Sequence, residues 1–278
     1  MVVVFALGSA LAYGLSDFLG GLLSRRASAW SVAVTAQAAS AVITVVMAAV
    51  VTGHPTAGDW AWGAAAGIGS GVGSVFLYRG LGTGRMGVVA PLSGVGAALV
   101  PVLAGVAGGE RPGVVTWIGV GCALPAIWLV SRSVDADGAT TLSRSDLANG
   151  LLAGAGFGLL FACLGQVPQG AGLGPLATDQ VVAVISIVAL AVLVRVDWLP
   201  RDRHAWSGLL AGVIASSATL LFLLSTQAGY LTVAGVLTSL YPAATVVLAI
   251  IVLREHVHRA QGVGLMLAAL AVALVAAS

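Results

Sequence analysis

The chain has 278 residues, 59% hydrophobic and 8% charged, with a mean hydropathy of +1.05. A soluble domain carries about 25% charged residues, so water is excluded as the solvent for most of this surface, which leaves a polytopic membrane protein. The net charge of +2 is too small to point to nucleic acid or to a strongly acidic partner.

A helix needs about 20 apolar residues to cross the hydrocarbon core. Ten such spans are predicted, at approximately 2–22, 30–52, 60–81, 87–107, 113–131, 147–167, 175–195, 206–227, 232–253 and 259–277. The first contains Ala10-Leu11-Ala12, which resembles a signal-peptide cleavage site. No basic segment precedes it and the apolar run continues, so it reads as a membrane helix. Pro55 lies between spans two and three, and Pro112 opens span five, both at helix boundaries. The connections are short. The longest polar stretch, Arg132 to Asp146, is a surface linker. Gly67 with Gly71, Gly69 with Gly73, the series Gly150, Gly154 and Gly158, and Gly208 with Gly212 have the small-xxx-small spacing of close helix contacts. Cys122 and Cys163 both fall in apolar runs without a CxxC spacing, so packing is their expected role.

The stretch Phe76–Ser131 recurs about 145 positions later, at Leu221–Ala276. Val102-Leu103-Ala104 then meets Val247-Leu248-Ala249, Glu110 meets Glu255, and Gly119 meets Gly264. A similar shift places Tyr13-Gly14-Leu15 over Phe157-Gly158-Leu159. Two homologous halves follow, 1–138 and 139–278, with five spans each. An odd number of spans returns the chain to the opposite side, so the second half enters the membrane inverted. Inverted repeats share a pseudo-twofold axis in the membrane plane, and a common site falls near the midplane between them.

All 12 basic residues are arginines. Eleven of them (Arg25, Arg26, Arg79, Arg85, Arg132, Arg144, Arg195, Arg201, Arg203, Arg254 and Arg259) fall in the odd-to-even loops, against Arg111 alone on the other side. The positive-inside rule places those loops in the cytoplasm and both termini outside.

Polar residues inside the spans are the candidates for function. Asp17 lies about five residues past the centre of span one, roughly 7 Å from the midplane at 1.5 Å per residue. A carboxylate at that depth faces a cavity or a partner. Arg79, near the end of span three, is the expected partner in a gate-side ion pair; without a partner, the Asp17 proton is a candidate coupling ion. Thr238, Tyr241 and Thr245 share one face of span nine, and Pro242 beside them removes a helix hydrogen bond near mid-membrane. They line a cavity or bond back to their own helix. Span four contributes Pro91, Ser93 and Pro101, and span eight Ser216, Ser217 and Thr219. Tyr13 and Phe157, related by the repeat, form an aromatic pair around a ligand or pack in the core. The predicted substrate path is therefore Tyr13, Asp17, Ser93, Phe157, Thr238 and Tyr241. Glu110 and Glu255 each precede a helix at a membrane boundary, where the helix dipole favours negative charge, so they read as caps. His256 and His258 diverge on a helix and suggest no metal site. No catalytic or nucleotide-binding motif occurs, and neither enzymatic chemistry nor a cofactor is expected.

Three strings carry a family resemblance: ALAYGLSDFLGG at Ala10–Gly21, YRGLGTGRMGVVAPLS at Tyr78–Ser93, and GERP at Gly109–Pro112. Leu253-Arg254-Glu255 with Gln261 and Gly262 repeats the last boundary in the second half. The chain resembles the drug/metabolite transporter superfamily in its EamA-type ten-helix branch. The resemblance implies a basket-like bundle that moves small metabolites through a central cavity lined by spans one, three, four, six, eight and nine. Relatives are commonly drawn with both termini in the cytoplasm, whereas the loop Gly53–Asp59 has no arginine and the charges here favour both outside.

The expected protein is thus an all-α polytopic membrane protein of ten transmembrane helices in two inverted five-helix repeats. Its expected role is alternating-access secondary transport of a small polar or amphipathic metabolite, in the export direction, across the plasma (inner) membrane. Its partners are a small-molecule substrate and the lipid bilayer, with no nucleic acid; monomer and homodimer both remain open. The alternative is a membrane structural or lipid-handling protein without a solute pathway, which a closed, fully apolar centre would indicate.

Overall fold

The computed structural model describes residues 1–82, 86–130, 144–253 and 259–276. Apolar length and local capping make the helices. The first half contains α1 (Val2–Ser24), α2 (Ala29–Val50), α3 (Ala57–Gly82), α4 (Met86–Ala107) and α5 (Val114–Val130). The second contains α6 (Arg144–Leu164), α7 (Gly174–Leu193), a single turn α8 (Arg203–Trp206), α9 (Gly208–Gln227), α10 (Leu231–Thr238), α11 (Tyr241–Leu253) and α12 (Arg259–Ala276). At the start of α3, the Asp59 carboxylate accepts from the Thr56 N–H at 2.7 Å and its hydroxyl at 2.9 Å, while the Thr56 hydroxyl accepts from Asp59 N–H. This reciprocal arrangement is a capping box. Asp202 caps α8 through the Ala205 N–H. The repeat boundary at 138/139 lies outside the described residues, as do Arg85, Arg132, Arg254, Glu255, His256 and His258.

Five helices combine length and apolarity enough to cross a bilayer: Val2–Ser24, Ala29–Val50, Arg144–Leu164, Gly174–Leu193 and the run Arg203–Gln227. The others are built differently. Helix α3 is the longest at 26 residues, and its frequent glycines dilute its hydropathy. Span nine is divided: α10 ends at Thr238 and α11 begins at Tyr241. The break falls at Ser239 and Leu240, just ahead of Pro242. Proline is accommodated in the first turn of α11, where its missing N–H has no intrahelical acceptor to lose. Span eight likewise begins with a separate turn.

The packing obeys the inverted repeat. Under the exchange of halves, α1 corresponds to α6, α2 to α7, α3 to α9, α4 to α10 with α11, and α5 to α12. Helix α3 packs on α6, and its mate α9 on α1; α4 packs on α6, and α10 and α11 on α1; α3 packs on α7, and α9 on α2. The pairs α2 with α7 and α5 with α12 map onto themselves. This is the contact pattern of a pseudo-twofold axis between the halves.

Glycine stripes let these helices meet at their backbones. Gly67 and Gly71 of α3 abut α7 at Asp179, Val182 and Ala183, while Gly69 and Gly73 abut α6 at Gly156 and Phe157. Gly150, Gly154 and Gly158 of α6 meet Leu92, Gly96 and Val100 of α4, and Gly208 and Gly212 of α9 meet Thr35 and Ala36 of α2. A side chain at Gly212 would collide with the Ala36 carbonyl. Cys163 is buried among apolar neighbours and Cys122 is half-buried; both are free thiols. Leu11, Leu15, Leu103, Ile185 and Leu210 remain exposed, as expected of positions facing lipid.

Candidate functional site

Helix α1 organises the site because its polar residues share one face. Ser9, Tyr13, Ser16 and Asp17 are buried at helical spacing, and Leu11 and Leu15 point away. Ser9 donates to the Ala218 carbonyl at 2.8 Å and Ser16 to the Ala211 carbonyl at 2.9 Å, which stitch α1 to α9. Between them the Tyr13 and Thr219 hydroxyls are 2.8 Å apart. Thr219 directs its single hydrogen to the Ala215 carbonyl at 2.9 Å, so Tyr13 is the donor.

The same face opens on a cavity lined by Tyr13, Ser16 and Asp17 of α1, Ala36 and Gln37 of α2, Ser70, Ser74 and Tyr78 of α3, Phe157 and Leu160 of α6, and Ala215 and Thr219 of α9. Gln37 donates to Ser70 across it at 2.7 Å. In this conformation the void holds little more than one water molecule, so the polar centre is closed around itself. Its lining mixes hydroxyls, an amide and a carboxylate with three aromatic rings. The expected apolar centre of a purely structural protein is absent here.

The predicted path residues separate into two groups. Tyr13, Asp17 and Phe157 line the cavity. Ser93 and Tyr241 share a 2.7 Å hydrogen bond, and the Tyr241 ring packs on Tyr13 at 6.4 Å and Phe157 at 6.1 Å. They brace the cavity's aromatic wall rather than line it. Thr238 donates to the Ala6 carbonyl at 3.4 Å, and Thr245 to Gly14 at 3.1 Å. The polar stripe of span nine thus runs along the seam with α1. Of the spans implied by the family resemblance, one, three, six and eight line the cavity, span two joins them, and four and nine stand beside it.

Asp17 is 6% exposed, and among the described residues it makes neither an ion pair nor a side-chain hydrogen bond. The expected Asp17–Arg79 pair is not formed. Arg79 is exposed, with its guanidinium 5.9 Å from the Trp30 ring and 5.4 Å from the Phe76 ring. Depth along the membrane brought the two residues level, but Arg79 leaves α3 toward the surface, where its charge keeps water and gains a cation–π contact.

Two features were not legible as functional residues. Asp179 of α7 is fully buried; its Oδ2 accepts from Gln180 at 2.8 Å, while Asp179 Oδ1 and Gln180 Oε1 have no partner. Gln180 reaches Thr219 at 3.4 Å, which connects this second acid to the cavity wall. The available signal was an acid within an apolar run. Glu110 is a cap, as expected, but not for the helix that follows it. Its carboxylate accepts from the Leu231 N–H, from the Thr232 N–H at 2.9 Å and from the Thr232 hydroxyl at 2.6 Å, at the start of α10 in the other half.

No group of three or more His, Cys, Asp or Glu side chains capable of holding a metal occurs among the described residues. A closed polar cavity between inverted helical repeats defines a membrane protein of the transporter class. The chain belongs to the EamA-like transporter family, whose model matches residues 1–132 and 147–277. It is therefore a multi-pass membrane transporter of small substrates. A solved crystal structure shares the fold, with a TM-score of 0.71 over 98% of this chain and 95% of its own, at 14% identity. Comparison with curated proteins finds no match.

Proposed function

We propose that the protein is a secondary transporter that exports a small polar or amphipathic metabolite across the plasma (inner) membrane by alternating access, without an enzymatic step. The observation that carries this reading is Asp17, a carboxylate without a partner among the described residues, in a closed polar cavity between two inverted halves. A buried charge without a counter-charge is costly, and sites of this kind mark substrate or ion pathways. The repeat supplies the alternation: each half can take the packing of the other, which moves the opening from one side to the other. Tyr13, Asp17 and Phe157 contact the solute, and the Ser93–Tyr241 pair and Thr238 hold the seam that rearranges when the cavity opens. No phosphate-binding loop is present in the sequence, which favours ion or solute gradients over ATP as the energy source.

The test is a solute screen of cells overproducing the protein beside an empty-vector control. Depletion of a metabolite from the cells supports export; accumulation reverses the direction. Equal profiles, with the protein present in the membrane, overturn the reading. The arginine distribution supports both termini outside, and a reporter fused after Ser278 that is active only in the cytoplasm overturns that orientation.

The alternative of lipid handling has one observation in its favour, an apolar crevice between α1, α11 and α12 lined by Leu7, Leu11, Leu15, Val247 and Leu248. A fully apolar lining fits an acyl chain of the surrounding bilayer, and it leaves the polar cavity without a purpose.

A further inference from the structure

The charges of this protein are sorted by depth. Asp17 is 6% exposed and Asp179 0%, whereas every arginine whose exposure is described lies at the surface. Among the described residues the centre therefore holds two acids and no base. Building on the transport reading, we propose that the cavity selects solutes bearing an organic cation, a protonated amine or a quaternary ammonium, with Asp17 as the counter-charge.

Three features of the lining point to the same class. First, the Asp17 carboxylate has no partner among the described residues, so a cation entering beside it is the event that relieves its burial. At an effective dielectric of about 20, the attraction is roughly fourfold that in water at the same distance. An anion would meet the same field as repulsion from both acids. Second, Tyr13, Tyr78 and Phe157 line the same cavity as the carboxylate, and aromatic faces attract ammonium groups. Third, the hydroxyls present lone pairs more than hydrogens. Ser16 directs its hydrogen to the Ala211 carbonyl and so meets the cavity as an acceptor, whereas Thr219 is occupied by its bonds to Ala215, Tyr13 and Gln180. Ser70 accepts from Gln37 and keeps a further lone pair. Carboxylate, rings and acceptor hydroxyls together match an N–H-rich or alkylated cation and offer a carboxylate-bearing solute little.

Among the described residues, the titratable groups facing Asp17 are the phenols of Tyr13, Tyr78 and Tyr241, and Asp179 acts on the same Tyr13. None is a base that competes for the carboxylate.

The experiment uses the full chain in detergent and in liposomes. Thermal shift and competition binding are measured with a size series of cations from methylammonium to benzyltrimethylammonium, and with benzyl alcohol and benzoate as neutral and anionic comparators. At least one cation is expected to bind, with benzyl alcohol and benzoate weaker by about tenfold or more. Asp17→Asn should remove that preference at unchanged folding, and Asp17→Glu should retain part of it. If no cation in the series binds, if benzoate or benzyl alcohol binds as well, or if folded Asp17→Asn keeps the preference, the inference is overturned. Flux into liposomes separates this failure from that of the transport reading. Neutral or anionic metabolites that cross while cations neither bind nor cross would overturn the cation selectivity alone. Cations that bind through Asp17 while no solute crosses would overturn transport alone.

Discussion

Two carboxylates, Asp17 and Glu110, sit in the same apolar chain under opposite conditions. Glu110 receives three hydrogen bonds from the first turn of α10, two from backbone N–H groups that no helix can satisfy internally. Its charge also faces the positive end of the helix dipole. Among the described residues Asp17 receives none. An acid that is fully used by its own protein has nothing left for a ligand, and an acid left unused is held for something that arrives. The difference teaches that repetition in the sequence and depth in the membrane report different things. Glu110, one of the repeated glutamates, marks a joint between halves, and the unrepeated aspartate marks the space the joint encloses.

The sharpest way to break this comparison is to truncate the satisfied acid. Glu110→Ala orphans the N–H groups of Leu231 and Thr232 together with a buried hydroxyl, and should cost roughly 3 kcal/mol of stability. Thermal unfolding in detergent reads it, and a variant as stable as the parent would remove Glu110 from the joint. Thr232→Val withdraws one of the three donors and should cost about 1 kcal/mol by the same measurement. Tyr241→Phe breaks the bond to Ser93 without altering the aromatic wall. It should cost about 1 kcal/mol or less and reduce transport only modestly, whereas Tyr241→Ala removes the ring that braces the wall and should reduce transport strongly at equal protein level.

Asp17→Asn is the smallest of these in stability and the largest in function. With no partner to lose, the amide should change stability by no more than about 0.5 kcal/mol or raise it, while uptake into liposomes falls. A marked loss of stability would mean that Asp17 is structurally engaged and would collapse the distinction from Glu110. The double variant Glu110→Ala with Asp17→Asn should be additive within about 0.5 kcal/mol, since the two acids share no partner.

Much of this architecture can be read from residues alone. Membrane class, the inverted halves and the glycine contact faces follow from composition, an odd span count and spacing. Asp17 was visible because acids are rare and this one lies deep in a span. What could not be read depends on azimuth and on contacts between distant segments. Arg79 and Asp17 lie at similar depth, yet no linear pattern tells that Arg79 points outward to Trp30. The partner of Glu110 lies 121 residues away. Asp179 sits near the predicted start of span seven and reads as a boundary residue, but α3 lies against its backbone through Gly67, so helix packing buries it. The break in span nine was anticipated at Pro242, and the chain turns two residues earlier so that proline opens α11.

The contact pattern of the halves bears on how the molecule is made. The most extensive neighbours of α1, α3 and α4 all belong to the second half, and the Glu110 joint closes only when α10 exists. A ribosome that has threaded the first five spans into the membrane has therefore produced helices whose principal partners are still untranslated. Those helices stand in lipid with glycine grooves open and seam hydroxyls unmatched until α6, α7 and α9 arrive. Assembly is consequently late and all-or-none, like that of an intertwined dimer joined by a linker. The two halves expressed as separate chains should accumulate together and be degraded when either is made alone.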